Sequence, residues 1–342
     1  MKLPENLPSL KGRSRETLLS LLLKNEYGCP PPRPDQVEFI VTGERKDAFA
    51  GKAFHRHVSA RLTMGERRFA FLFQVVLPKS PRPVPGVVLI NFTSAVPDPY
   101  LPSGELCDLG LAVASFCYAD VSPDSDDFQS KAGGFLQVDR RRSDAPGKLA
   151  IWAWAASLVL DYLLTCPQID PAKTAVAGHS RLGKTALLAG ALDQRFQLVY
   201  SNESGCSGAA LYRGKKGETA KAIWEQFPYW FCPAFQQCTG NPKNLPFDQH
   251  FLLALIAPRL LYVSSAAEDQ WADPLAEFRG CQAATEAYLA MGLSGLTETG
   301  DEPRPGEAYH QGTIGYHLRM GTHFFSRDDW RLFAAYAARH WS

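Results

Sequence analysis

Apolar residues along the chain fall into short runs. The pattern of these runs is strand-like at first, and from residue 148 onward it alternates between helical and strand-like. Between Gln36 and Pro78 three runs of strand-forming residues follow one another, and the last, RRFAFLFQVVLP, alternates along its length. These runs predict an antiparallel opening to a sheet. Two shorter apolar runs, 84–92 and 111–119, each end in a polar loop, which is typical of buried parallel strands.

From residue 148 onward, helical and strand-like segments alternate. The stretch KLAIWAWAASLVLDYLL (148–164) has neither glycine nor proline and is apolar all round, which predicts a buried crossover helix. Predicted strands then follow at 174–177, 196–200, 259–263 and 313–319, and predicted helices lie at 184–192, 249–255, 274–291 and 328–339. The alternation predicts an α/β fold: a mostly parallel sheet covered by helices on both faces, in a three-layer αβα sandwich.

The chain divides into an appendage and one large domain. Residues 1–35 contain one predicted helix, at about 15–24, that ends in the proline cluster CPPPRP. We expect this helical extension to pack on the domain. Residues 36–342 show no internal repeat, low-complexity tract or linker, which predicts a single α/β domain.

Composition narrows the classes of function. The 342 residues are 45% apolar and 21% charged, with a net charge of +1. A chain with so little net charge lacks a strong positive electrostatic field, so we do not expect nucleic acid as a partner. No apolar run approaches the roughly 18 to 20 residues of a membrane span. No signal peptide is evident, which predicts a cytoplasmic protein, or an exported one if a leader has been removed. The eight cysteines lack metal-ligand spacing, which predicts no cysteine-bound metal. We also expect no cofactor and a monomer.

The stretch GHSRLGKT (178–185) fits two incompatible motifs. It matches the phosphate-loop pattern G-x-x-x-x-G-K-[ST], and it also places Ser180 between a predicted strand and a predicted helix, where a hydrolase holds its nucleophile. Bulky side chains at His179, Arg181 and Leu182 disfavour a phosphate cradle, which usually needs small residues. Leu182 is also unusual for a nucleophile elbow, because a small residue normally stands there.

Residues downstream favour the hydrolase. A serine nucleophile needs a histidine to accept its proton and a carboxylate to orient that histidine, in the chain order serine, acid, histidine. Glu203 follows one predicted strand, Asp269 follows the next, and His323 follows the last. His310 and His317 are rivals for the base, but neither lies in the loop after the last strand.

The ordered set of motifs resembles one family. GHSRLGK (178–184), NESG (202–205), LPFDQH (245–250), APR (257–259), DQWADP (269–274) and GTH (321–323) are similar to those of glucuronoyl esterases of carbohydrate esterase family fifteen, especially bacterial members. The resemblance implies an α/β-hydrolase fold and a serine triad without metal. It also implies cleavage of esters between (4-O-methyl-)glucuronic acid of xylan and lignin alcohols.

The resemblance also implies roles for individual residues. Ser180 would be the nucleophile, His323 the base, and Glu203 the favoured acid with Asp269 as the alternative. Arg181 would stabilise the oxyanion. Contacts to the uronate would come from four residues: Lys184, Trp271, Glu218 and Gln226. The substrate would be a small or oligosaccharide uronate ester. An acetyl esterase acting on acetylated sugars is the alternative within the same chemistry, and a nucleotide-binding protein is the alternative outside it.

Overall fold

The computed structural model describes residues 3–297 and 300–341. A ten-stranded sheet runs through it in the order β1-β2-β3-β5-β4-β6-β7-β8-β10-β9. The strands are β1 (Gln36–Ala48), β2 (Ala53–Met64), β3 (Arg67–Pro78), β4 (Val84–Asn91), β5 (Ala112–Cys117), β6 (Ile169–His179), β7 (Leu198–Asn202), β8 (Leu260–Ala266), β9 (Ala308–Tyr309) and β10 (Ile314–Arg319).

Ten α-helices are described. They are α1 (Arg15–Leu22), α2 (Ser103–Asp108), α3 (Tyr118–Val121), α4 (Lys131–Leu136), α5 (Lys148–Leu163), α6 (Arg181–Leu192), α7 (Ala220–Gln226), α8 (His250–Ala254), α9 (Pro274–Leu289) and α10 (Arg327–His340). A π-helical turn (Leu23–Tyr27) follows α1, and three 3₁₀ turns (Pro228–Trp230, Pro233–Cys238 and Pro242–Asn244) lie between α7 and α8. No helix among the described residues is long and apolar enough to cross a membrane.

The predicted antiparallel opening and parallel continuation are both confirmed. Strands β1, β2 and β3 pair antiparallel, with the register of β2 and β3 running from Ala53 opposite Pro78 to Met64 opposite Arg67. Strands β5, β4, β6, β7, β8 and β10 then pair in parallel. The short β9, which the sequence did not predict, pairs antiparallel with β10 at the sheet edge.

Side-chain alternation along the central strands creates two cores, one on each face of the sheet. On β4, Val88 and Ile90 join the larger core, which also contains α5, α6 and α9. Their neighbours Val87 and Leu89 join the smaller core, where the aromatic residues of α10 pack. The predicted three layers follow from this alternation.

The N-terminal extension shares the larger core. Leu18, Leu22 and Tyr27 are buried within it, and the Tyr27 hydroxyl donates to the carbonyl of Ser207 at 3.0 Å. The α-helix predicted at about 15–24 ends at Leu22 and continues as the π-helical turn. This extension therefore packs behind the loop that follows β7.

Candidate active site

Ser180 lies in the turn that joins β6 to α6. Its backbone has φ of +58° and ψ of −126°, a strained combination that strand-to-helix turns of hydrolases use to expose a nucleophile. Gly178 makes the turn possible, because a Cβ atom there would lie 2.1 Å from the carbonyl oxygen of Leu182. The turn has the geometry of a nucleophile elbow.

Leu182, the residue that seemed too bulky for an elbow, is fully buried in the larger core. The tight contact falls on the next residue, Gly183, where a Cβ atom would lie 2.9 Å from the carbonyl oxygen of Asn202 at the end of β7. The need for a small residue has moved by one position, so the leucine does not obstruct the turn.

The loops after β7, β8 and β10 bring Glu203, Asp269 and His323 together. Nδ1 of His323 lies 2.6 Å from Oδ2 of Asp269 and 3.2 Å from Oε2 of Glu203. Both carboxylates are buried, whereas the His323 side chain is 43% exposed. The sequence favoured Glu203 as the acid. The structure gives Asp269 the shorter contact and places both acids on the same nitrogen.

The two carboxylates control the protonation of His323. Burial acts to lower the pKa of the imidazole, but the hydrogen bonds and charges of Asp269 and Glu203 outweigh it and raise the pKa to about 9. Burial raises the pKa of Glu203 to about 7, against the hydrogen bond to His323. Burial also acts to raise the pKa of Asp269, but its contact with His323 prevails and lowers it. The site therefore favours an imidazolium.

A second histidine lies beneath the first. The ring centroid of His179 is 4.4 Å from that of His323, and its Nδ1 lies 2.5 Å from Oδ1 of Asn202. Burial lowers the pKa of His179 to about 3. His179 is therefore neutral and supports the His323 ring without competing for its proton.

Arg181 is the first residue of α6, and its guanidinium contacts an acidic side chain and an aromatic ring. Its guanidinium pairs with Asp124 and lies 4.8 Å from the ring centroid of Trp230. Phe227 stacks on Trp230 with centroids 3.9 Å apart. Nε of Arg181 is buried without a hydrogen-bond partner among the described residues. The first residue of a helix also has a backbone N–H with no partner inside the helix, so Arg181 has a backbone N–H to offer a ligand.

The residues of the site line one cavity of about 350 Å³. All nine residues predicted for the site line it: Ser180, Arg181, Lys184, Glu203, Glu218, Gln226, Asp269, Trp271 and His323. Nζ of Lys184 lies 3.8 Å from Oε2 of Glu218, and Trp271 is 58% exposed. The cavity therefore combines groups that can bind hydroxyls with a flat aromatic surface.

Comparison with known proteins identifies the family. The sequence profile described as "Glucuronyl esterase, fungi" matches residues 61–292. The chain belongs to the glucuronoyl esterase family. The 4-O-methyl-glucuronoyl methylesterase of Schizophyllum commune is 30% identical to this chain, over 82% of the chain and 68% of that protein. Carbohydrate esterase MZ0003, from an unknown prokaryotic organism, is 43% identical over 68% of this chain. That match spans about half, 54%, of the length of MZ0003.

Solved structures of relatives extend the match to the whole fold. A glucuronoyl esterase from Solibacter usitatus superimposes with a TM-score of 0.90 at 28% identity, covering 100% of this chain and 98% of that chain. A promiscuous esterase of carbohydrate esterase family 15 from a marine bacterial metagenome has a TM-score of 0.86 at 32% identity, covering 99% and 97%. The predicted α/β-hydrolase fold is confirmed.

The phosphate-loop pattern of this chain is not accompanied by a phosphate cradle. A cradle needs several backbone N–H groups free to face the phosphate. Here the N–H of Ser180 donates to the carbonyl of Asn202 at 2.9 Å, and those of Gly183 and Lys184 donate to the carbonyl of Ser180. The Lys184 ammonium donates to the carbonyl of Ser204. The three backbone N–H groups are already engaged, which removes the support for nucleotide binding.

His310 and His317, the rivals for the base, belong to another network. Each has a ring nitrogen 2.8 Å from the Tyr262 hydroxyl, and Nε2 of His317 lies 2.8 Å from Oδ1 of Asp329. Neither histidine is among the residues that line the cavity.

Sequence reasoning missed Asp124, Phe227 and Trp230. Asp124 lies 57 positions before Arg181, in an acidic loop where nothing local distinguishes it from a solvated side chain. A signal for the two aromatic residues did exist, because they follow closely after Gln226, which the family resemblance had placed at the site.

Glu203, Asp269 and His323 are also the one group among the described residues whose ligand atoms could approach a metal ion together, all within 4.8 Å of one another. Their contacts of 2.6 and 3.2 Å are hydrogen-bond distances, however, and a bound zinc would need Nδ1 for itself. The geometry is that of an acid–histidine cluster. That the protein needs no metal or cofactor stays a prediction.

Proposed function

We propose that this chain is a serine carboxylesterase that hydrolyses esters of glucuronic acid and its 4-O-methyl ether, as in the links between glucuronoxylan and lignin alcohols. One observation carries the proposal. A strained elbow serine, a histidine with two carboxylates and an arginine line the same cavity as a lysine, a glutamate and a glutamine suited to sugar hydroxyls.

The first half-reaction forms an acyl-enzyme. His323 accepts the proton of the Ser180 hydroxyl while Oγ attacks the ester carbonyl, and the carboxylates of Asp269 and Glu203 stabilise the imidazolium that results. The imidazolium then donates its proton to the departing alkoxide. A water molecule, activated by the same histidine, attacks the acyl-enzyme and releases the uronic acid.

Arg181 stabilises the tetrahedral intermediates in this proposal. Arg181 lines the cavity beside Ser180, and its guanidinium and helix-terminal backbone N–H would face the negative charge that develops on the carbonyl oxygen. The N-terminal end of α6 adds a positive partial charge. An oxyanion donor of this kind contributes roughly 3 to 4 kcal/mol to transition-state stabilisation.

Lys184, Glu218, Gln226 and Trp271 bind the uronate in this proposal. An acetyl esterase would place the sugar on the alcohol side of the ester instead. A uronate ester would place its acyl group at the polar end of the cavity, because the acyl group is the sugar. An acetylated sugar would have to place its alcohol group there.

The nucleophile is tested by Ser180→Ala. We expect loss of turnover of benzyl and methyl glucuronate with an unchanged circular dichroism spectrum, and Ser294→Ala, at an exposed serine, serves as the control. Retained turnover in Ser180→Ala would disprove the assignment.

The substrate class is tested by Lys184→Ala. We expect a rise in KM for methyl glucuronate of at least about tenfold, since a hydrogen bond to a charged group contributes roughly 1.5 to 3 kcal/mol. Residual turnover of acetylated xylo-oligosaccharide should not change. Lys221→Ala, on the surface of α7, is the control. Equal losses on both substrates, or a parent that prefers the acetate, would favour the acetyl esterase.

We also propose that residues 36–342 form a single catalytic domain and that residues 1–35 are an extension packed on it. The shared core of Leu18, Leu22 and Tyr27 with the sheet and its helices supports this division. Deletion of residues 1–35 should lower the melting temperature in a single cooperative transition, whereas two separate transitions in the full chain would contradict the proposal.

A further inference from the structure

We propose that Arg319 is a positioning residue for His323, because its guanidinium shapes the loop that carries the histidine and holds Glu203 against it. The inference rests on the proposed function only in taking His323 as the base. Arg319 does not line the cavity, so any influence on the reaction passes through other residues.

Arg319 ends β10, four positions before His323. Its Nη1 donates to the carbonyl of Met320 at 2.9 Å, and its Nη2 donates to the carbonyls of Thr322, at 2.9 Å, and Phe324. The loop therefore folds around the side chain that precedes it. His323 stands between two residues whose carbonyls are fixed by the same guanidinium.

Two buried carboxylates also contact the guanidinium. Nη2 lies 2.6 Å from Oε1 of Glu203, and Nε lies 2.9 Å from Oδ2 of Asp329. The second oxygen of Glu203 accepts the N–H of Phe324 at 3.1 Å and faces Nδ1 of His323. Glu203 thus joins the guanidinium to the imidazole and to the loop backbone at once.

The charged and titratable groups around this arrangement come from several elements. Asp269 faces His323 from the loop after β8, and His179 lies beneath it on β6. Asp329 on α10 faces Arg319, and His317 on β10 shares Asp329. Arg319 is the cation in contact with both Glu203 and Asp329, and its side chain is only 12% exposed.

Removal of the guanidinium should act in two ways. A buried carboxylate without a cation favours its neutral form, so Glu203 would keep a proton and no longer add its charge to His323. The loop would also lose three anchors. Lysine at this position keeps the charge but cannot bind several carbonyls in one plane. Arg319→Gln should therefore change both protonation and position, and Arg319→Lys chiefly position.

The test compares Arg319→Gln and Arg319→Lys with Arg331→Gln, an exposed arginine on α10 that pairs with Asp328 and Glu105. The readouts are the pH dependence of kcat/KM for benzyl glucuronate and the NMR titration of the His323 imidazole, assigned by its loss in His323→Ala. Thermal melting of each variant reports stability separately.

We expect Arg319→Gln to move the His323 titration and the acidic limb of activity down by about one pH unit, with kcat lowered at least about tenfold. Arg319→Lys should lower kcat without moving the titration, and Arg331→Gln should match the parent. A parental titration in folded Arg319→Gln, or a parental kcat in Arg319→Lys, would overturn the proposal. Reduced melting temperature alone, without either change, would show a purely structural role and overturn it as well.

Two outcomes are kept apart by this design. If the parent does not hydrolyse the uronate ester, the proposed function fails, while the NMR titration of Arg319→Gln still tests the influence of Arg319 on His323. If Arg319→Gln does not fold, the kcat of Arg319→Lys decides whether the anchors of the loop matter.

Discussion

Because two carboxylates contact the same histidine, we predict that each can partly replace the other in supporting it. We consider Asp269→Asn, Glu203→Gln and the double variant, each of which keeps the shape of the side chain and removes its charge. If both carboxylates support His323, either one alone should sustain much of the activity, and removal of both should be far more damaging than the two single losses combined.

The magnitude follows from the two distances to Nδ1, 2.6 Å for Asp269 and 3.2 Å for Glu203. At an effective dielectric of about 20, unit charges at these separations differ in attraction by only about 1 kcal/mol. The 43% exposure of His323 reduces that difference further by screening. The electrostatic attraction to His323 is therefore nearly equal for the two carboxylates. We expect single losses in kcat of about 10-fold, with the larger for Asp269→Asn, and a combined loss near the roughly 10⁴-fold of a lone triad acid.

The assay is kcat for benzyl glucuronate for the parent and the three variants, at the optimum pH of each and with melting temperatures measured alongside. The coupling between the two sites is read from the double-variant cycle. A roughly 10⁴-fold loss in one single variant, with no further loss in the double variant, would refute the shared role and assign the acid to one residue.

Three further predictions concern pH, the arginine and the turn. Because the raised pKa of His323, to about 9, keeps the base protonated at neutral pH, kcat/KM should rise from pH 7 toward pH 9; a plateau already reached below pH 7 would contradict this. Asp124→Asn should lower kcat roughly tenfold and leave KM nearly unchanged, because Arg181 loses a charged partner; a higher kcat would show that Asp124 only weakens the cation. Gly178→Ala should lower the free energy of unfolding by at least about 2 kcal/mol in urea denaturation, since the new Cβ would overlap the carbonyl of Leu182, whereas Gly240→Ala, in open space, should be neutral.

The order of elements and the site were predictable for a common physical reason. The carboxyl ends of parallel strands lie along the same side of the sheet. Residues that directly follow β6, β7, β8 and β10 therefore lie close together there. Ser180, Glu203, Asp269 and His323 each follow one of these strands, and in the structure all four line the same cavity.

Contacts within that edge could not be predicted in the same way. Which acid lies nearer to His323 depends on differences of less than 1 Å between two loops. The partnership of Arg181 with Asp124 joins segments 57 positions apart, and no periodicity connects them. Arg319 looked like an ordinary strand end, and only the path of the following backbone shows that it organises the histidine loop.

The stretch 178–185 shows what separates two motifs that share their letters. Both need a glycine where a strand turns into a helix, and both allow a lysine in the first helical turn. In this chain φ of +58° at Ser180 turns the serine outward, and the N–H groups of Gly183 and Lys184 close on the Ser180 carbonyl. A phosphate loop would need those groups open and the ammonium free. Lys184 instead lies buried against the carbonyl of Ser204, at the end of the cavity that we assign to a sugar. A lysine in this pattern therefore indicates nucleotide binding only where the turn leaves its amides unpaired.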